Sequence, residues 1–341
     1  MQRTDQFLRN YQSYQDDRLK EVSVTPQHRL TGLAIDGGGV RGLIPALVLE
    51  EIERRTGKPI WECFDMISGT STGGLITLGL TVPDGDGGVR SKATDLVQMY
   101  RDSRQTIFSR SILRTLGSPL FDEYATKGLE RELAERVGEM TLSSAKTGIA
   151  VTAWNLTQNQ PAYFNNAEAG HQFSDPLMRD VARATSAAPS YFAPCTIKSS
   201  DGTHTFVDGG TFANNPAKIA YLALRPPHAP SRPLLLLSLG TGNPVTEDPA
   251  RRHLWGAIPW VRPMVHLFMT APSELVDVEL GQLADDDFSY YRIEPPPGQA
   301  SPRLDDAGRR NIKSLEDVAS RLISAHDADL DKICDQLEQR Q

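Results

Sequence analysis

A serine held between two glycines becomes a candidate nucleophile when the chain turns sharply beneath it. Gly69-Thr70-Ser71-Thr72-Gly73 spells G-x-S-x-G. It lies between a short apolar run, Phe64–Ser68, and a helical pattern, Gly74–Thr81. The motif requires this strand-turn-helix setting, because flanking side chains would otherwise crowd the Oγ. The helix N-terminus beneath it favours negative charge developing at the reaction centre. A Gly/Ser/Thr-rich connector is the plain alternative, so Ser71 needs partners before it means chemistry.

Asp36-Gly37-Gly38-Gly39-Val40-Arg41-Gly42 supplies one set of partners. Consecutive N–H groups in a glycine turn at a helix start make a concave anion site. In acyl transfer such a turn would hold the oxyanion of a tetrahedral intermediate. Gly37, Gly38 and Gly39 are the candidate donors, and Arg41 adds positive charge nearby. Gly37, Gly39 and Gly42 also read as G-x-G-x-x-G, a dinucleotide fingerprint. The companion G-x-S-x-G weighs against that reading, since a dinucleotide site has no use for it. A P-loop is excluded because no Lys-Ser/Thr follows Gly42.

The serine also needs a base. None of the seven histidines stands at a glycine-marked strand end. Asp208 does, followed by Gly209 and Gly210. A lone Asp-Gly-Gly is usually only a turn, and its weight here comes from the other two motifs.

Elements of the right kind surround these residues. Leu30–Asp36 reads as a buried strand and Leu43–Arg55 as a helix, with Gly57 and Pro59 ending it. The strand-turn-helix unit then repeats around Ser71. Helical patterns cover 91–105 and 122–137, and 148–154 reads as a central strand. Asp175–Ser186 reads as a helix capped by Ser174 or Asp175, with Pro176 in its first turn. Thr205–Val207 is a strand feeding Asp208, and Leu234–Leu239 a buried strand ending in Gly240-Thr241-Gly242. Ser314 to Leu337 reads as one amphipathic helix. Strands alternating with helices imply an α/β fold around a mainly parallel sheet. Residues 1–29 are expected to form a polar lead-in packed on a single domain spanning 30–341.

Two further segments are candidates for touching lipid. His253–Met269 is broadly apolar and carries Trp255 and Trp260, although a core helix explains most of it. Arg101–Leu116 carries four arginines, which a solvated helix face also explains.

The bulk numbers narrow the class. The chain has 341 residues and a net charge of −7, which argues against a nucleic-acid polymer as partner. Its 27 Arg against 9 Lys reads first as composition bias. Cys63, Cys195 and Cys334 form no CxxC pair, which fits a reducing compartment and no metal site. No signal peptide or membrane-spanning run is visible. The expectation is a cytoplasmic protein that reaches a membrane surface from the water side.

At this point the sequence resembles the patatin-like phospholipases. Asp36–Gly42, Gly69–Gly73 and Asp208–Gly210 occur in that family's order. Ala184–Pro194, Asn214-Asn215-Pro216, Ser238–Gly242, Tyr291-Arg292-Ile293 and Leu304–Ala307 are similar as well. The resemblance covers roughly residues 30–320. It implies a three-layer α/β/α fold and a Ser–Asp dyad lipid acyl hydrolase. Ser71 would be the nucleophile and Asp208 the base, with Gly37, Gly38, Gly39 and Arg41 as the oxyanion site. No cofactor is implied, and the substrate would be a phospholipid or another acyl ester at a membrane surface. A second reading keeps the same hydrolase inactive until a cyclic dinucleotide binds, as in some bacterial members serving anti-phage defence. The sequence leaves headgroup, chain length and self-association as a homo-oligomer open.

Overall fold

The computed structural model describes residues 29–102, 137–166, 173, 175–189, 191–200, 202–225, 232–243, 257–299 and 304–339, with backbone alone for 257–266. The lead-in at 1–28, the helical pattern at 122–136, residues 103–116 and the start of the apolar segment at 253–256 lie outside these residues.

An eight-stranded sheet runs through the molecule. Its strands are β1 (Leu30–Ile35), β2 (Met66–Thr70), β3 (Gly148–Asn155), β4 (Gln160–Asn165), β5 (Cys195–Ser199), β6 (Gly202–Asp208), β7 (Leu234–Leu239) and β8 (Phe288–Ile293). The order is β5-β6-β3-β2-β1-β7-β8, with β4 also on β3. The centre, β3-β2-β1-β7-β8, is parallel. β4, β5 and β6 join antiparallel.

The helices are α1 (Leu43–Thr56), α2 (Thr72–Thr81), α3 (Ala93–Asp102), α4 (Met178–Thr185), α5 (Ala217–Leu224), α6 (Ala257–Leu283), α7 (Arg309–Ala325) and α8 (Asp327–Glu338). Strand side chains alternate between the two faces. Leu33, Ile35, Ile67, Leu235 and Leu237 meet α1, α3, α7 and α8 in one core. Ile149, Val151 and Ala153 continue that face beneath α4. Ala34, Met66, Ala150, Leu234 and Leu236 face the other way, against α5 and α6. The result is a three-layer α/β/α sandwich. Its central strands are buried on both faces, as parallel strands with helices on either side must be.

Three expectations shift. The strand expected at Phe64–Ser68 forms two residues later, at Met66–Thr70. The helix expected to start at Asp175 starts at Met178, after an extended Leu177 that bridges Thr141. Asp175 does not cap it: its carboxylate accepts from Ser143 N–H and Oγ at 2.9 and 2.7 Å. The single C-terminal helix is two, α7 and α8, broken at His326. The break lets the Ile312–Leu322 stripe and the Leu330–Leu337 stripe both reach the core over α1.

Candidate functional site

The sheet itself brings the two key residues together. β4 pairs with β3 over Ala150–Asn155, so it occupies one edge of that strand. β2 pairs with Gly148–Thr152 on the opposite edge and stops at Thr70. β6 pairs with Ala153–Asn155, beyond the end of β2, and runs the other way until Asp208 faces Ala153. Two strands therefore meet head to head along one flank of β3. The next residue of the first is Ser71, and the last residue of the second is Asp208. Distant sequence segments are placed side by side by backbone pairing alone.

Ser71 stands on a strained turn. Its φ is 54° and ψ −121°, outside the regions that residues with a Cβ ordinarily adopt. Such a conformation costs about 1–3 kcal/mol and persists only where the surroundings enforce it. The Ser71 N–H donates to Thr185 Oγ1 at 2.8 Å, and α2 begins at the next residue. Gly73 cannot carry a side chain, since a Cβ there would lie 2.0 Å from Ile35 O. The turn is thus wedged between the end of β1 and the end of α4.

Asp208 is 5% exposed, with Ser71 as a hydrogen-bonding neighbour that favours its ionised form. It also accepts from Gly210 N–H at 2.7 Å. Burial raises its carboxyl to about 6, against the opposing pull of these two bonds. Its own N–H donates to Ala187 O at 3.0 Å, which ties the strand end to the segment following α4.

The glycine turn lies against Ser71. A Cβ on Gly37 would sit 2.4 Å from Asn214 Oδ1 and 3.3 Å from Ser71 Cβ, so the position is closed to a side chain by Asn214 and packs close to Ser71. Gly37 N–H is already donated to Asn214 O at 3.1 Å, and its carbonyl accepts from Thr241 Oγ1 at 2.7 Å. The N–H groups of Gly38 and Gly39 have no acceptor among the described residues. Gly39 has φ 59° and abuts Leu304, whose carbonyl accepts from Val40 N–H at 2.9 Å. Arg41 is buried behind the turn. It donates to Gly38 O at 3.3 Å and Gly242 O at 2.6 Å, so its guanidinium braces the loop. Burial lowers Arg41 to about 10, which still leaves it charged at neutral pH.

Asp36, just before the turn, is held by Arg292 through two bonds of 2.9 and 2.6 Å. Arg292 reaches across β7 from the parallel strand β8 and also donates to Ser238 Oγ at 2.8 Å. Burial raises the Asp36 carboxyl to about 6 in spite of that partner.

The residues expected as nucleophile, base and oxyanion site lie together: Ser71 beside Gly37 and Asp208, Gly38 and Gly39 in the same turn, Arg41 behind it. His204 is elsewhere, beside Asn155 at 3.3 Å and edge-on to Phe173. Thr185, Asn214, Thr241 and Arg292 had no role assigned from the sequence, although all four fall in segments already noted as similar to a family. Their contacts span up to 256 positions of chain, which no local pattern reveals. Among the described residues no cluster suits a metal ion.

The sequence profile described as Patatin-like phospholipase matches residues 33–221, from β1 through the start of α5. Patatin-like protein 1 from Oryza sativa subsp. indica is 31% identical over 348 residues, spanning 89% of this chain and 83% of its own. A Solanum tuberosum protein named Probable inactive patatin-3-Kuras 1 is 32% identical, spanning 86% of each. Among solved structures, human GIVD cytosolic phospholipase A2 aligns over 99% of this chain and 65% of its own, at 12% identity and a TM-score of 0.45. The profile match covers more than half of the chain and includes all three motifs of the site, so this chain belongs to the patatin-like phospholipase family.

Proposed function

We propose that this protein is a lipid acyl hydrolase working through a Ser71–Asp208 dyad and an acyl-enzyme. The observation that carries the reading is a buried carboxylate, Asp208, at the strand end that meets a serine held in a strained conformation. Ser71 Oγ attacks the ester carbonyl carbon while Asp208 takes its proton. The carbonyl oxygen becomes an oxyanion facing the Gly38 and Gly39 N–H groups. Asp208 returns the proton to the leaving alcohol, leaving the acyl group on Ser71. Water then attacks, gives its proton to Asp208, and the carboxylic acid departs as Ser71 is re-protonated. Arg41 acts at one remove, holding the turn in shape and adding positive potential. No step calls for a metal or cofactor.

The shape of α6 supports a lipid surface as the place of action. Its inner side touches the site: Met269 lies beside Gly210, and Ser273 beside Asn214. On its outer side Leu267, Phe268, Leu275 and Val278 are each more than half exposed. Exposed large apolar residues in one stripe mark an interaction surface. No helix among the described residues is long and apolar enough to cross a membrane, so contact would be peripheral.

The test is hydrolysis of a fluorogenic phospholipid by wild type, Ser71→Ala and Asp208→Ala, each with and without a panel of cyclic dinucleotides. We expect both variants to fall by at least about 100-fold. Unchanged rates in either would sink the dyad. Activity that appears only with one nucleotide, and only with Ser71 intact, would identify the gated form of the enzyme.

A further inference from the structure

Asn214 is 6% exposed, and its Oδ1 is buried with no hydrogen-bond donor among the described residues. A buried amide oxygen without a donor is costly, and its presence calls for an explanation. The orientation of the amide follows from its surroundings. Ser273 Oγ donates to Met269 O at 2.8 Å, so toward Asn214 it can only accept. It receives Asn214 Nδ2–H at 3.5 Å, and the oxygen is turned the other way.

That way leads to the two reacting residues. A Cβ on Gly37 would be 2.4 Å from Asn214 Oδ1 and 3.3 Å from Ser71 Cβ. A Cβ on Gly210 would be 3.3 Å from the same Oδ1 and 3.1 Å from Asp208 Oδ1. The two glycines therefore bring Asn214 Oδ1 close to both Ser71 and Asp208. Ser71 has one hydroxyl proton and gives it to Asp208, so it does not satisfy the amide oxygen.

We infer that Asn214 Oδ1 positions the water that releases the acyl group from Ser71. The inference rests on the dyad reading above. A water molecule has two protons. When one is donated to Asp208 and the other to Asn214 Oδ1, its lone pair is fixed toward the acyl carbon. On attack the oxygen bonds to that carbon and the first proton passes to Asp208. The tetrahedral adduct collapses, the carbon–Oγ bond breaks, and Asp208 protonates Ser71 Oγ. The second proton stays on the new carboxylic acid throughout. An alcohol has only one hydroxyl proton and gains nothing from the second acceptor. Asn214 therefore acts as a positioning residue that favours hydrolysis over acyl transfer to alcohols.

The experiment uses the whole chain with p-nitrophenyl butyrate in buffer containing methanol. It reads nitrophenolate release and the ratio of butyric acid to methyl butyrate. The set is wild type, Ser71→Ala, Asn214→Leu and Ser273→Ala. Asn214→Leu keeps the branched shape and removes the acceptor; Ser273→Ala removes the group that holds the amide. The expected result is an acid-to-methyl-ester ratio lowered roughly tenfold in Asn214→Leu, since misplaced reactants cost one to two orders of magnitude. A smaller fall in the same direction is expected for Ser273→Ala, with formation of the acyl-enzyme retained in both. An unchanged ratio with Ser71-dependent turnover overturns the inference and leaves the dyad standing. Equal loss of acylation and hydrolysis, ratio unchanged, also overturns it and marks Asn214 as structural. Full turnover in Ser71→Ala defeats the dyad and the inference together. Should Asn214→Leu not fold, the ratio in Ser273→Ala decides: no change counts against the inference.

Discussion

Asp208 shows how one residue can be pulled two ways. Its carboxyl is raised from 3.8 to about 6 by burial. As a base it must be ionised, so activity on a neutral soluble ester should rise with pH through an apparent pKa near 6. A pH–rate profile for kcat/KM checks this, and a midpoint near 4 would show the carboxylate to be ordinary. Stability moves oppositely. Because the folded-state value is above the unfolded one, the folded protein holds a proton that the unfolded chain has lost between about pH 4 and 6. Stability contributed by Asp208 is therefore complete below about pH 4 and lost as pH rises through 6. Asp208→Asn should remove that loss and be more stable than wild type at pH 8 by up to roughly 3 kcal/mol, while inactive. Denaturant unfolding of the two proteins at pH 8 measures it. Asp36 titrates in the same window, and only the comparison between variants isolates Asp208.

Elements hold the glycine turn through an ion pair that reaches across one intervening strand. Asp36 leaves the end of β1, and Arg292 sits near the end of β8, with β7 between them. The carboxylate and guanidinium are 3% and 11% exposed. Removing one partner of a buried pair strands the other charge, at a cost of about 3–5 kcal/mol. Arg292→Met should lose about that much stability by urea titration and most of its activity, since the turn begins at Asp36. Adding Asp36→Asn should restore a large part of the stability. A double variant no better than the single one would mean that the pair contributes through packing, not charge. The α4 boundary has a similar origin: Asp175 fits the pattern of a cap, but Ser143 offers its carboxylate a better set of donors, and the helix starts three residues on.

For the whole molecule, the open question is which face meets the substrate's surroundings. α6 joins the site to solvent, polar contacts inward and apolar residues outward. Leu275→Glu and Val278→Glu on that outer face should weaken binding to vesicles of zwitterionic phospholipid by about tenfold or more, since each buries less apolar surface and adds a charge. Hydrolysis of a soluble ester should be unaffected, because neither side chain faces Ser71. Sedimentation of vesicles with bound protein reads the first quantity and a colorimetric ester assay the second. Loss of both together would mean that the helix had lost its packing. Equal vesicle binding in all three proteins would move the membrane-facing surface elsewhere.

The sequence by itself determined the α/β class, the central strands β1, β2, β3 and β7 but not β8, and the residues of the candidate site. Each of these is encoded locally. Glycines flank Ser71 because a tight turn admits no Cβ, apolar runs such as Leu234–Leu239 mark strands buried on both faces, and Asp208-Gly209-Gly210 marks a strand end open to a ligand. Tertiary structure alone decided what those residues touch. Ser71 and Asp208 are neighbours because β2 and β6 meet head to head on β3, which brings together two distant stretches of chain. The Arg41 guanidinium, read from sequence as charge beside the oxyanion, is directed at the carbonyls of Gly38 and Gly242. Asn214 had no assigned role until burial left its oxygen without a donor beside both reacting residues. Spacing along a chain records which groups are present and how each stretch turns. Partners are set by how the stretches pack, and that information appears only when the sheet has closed.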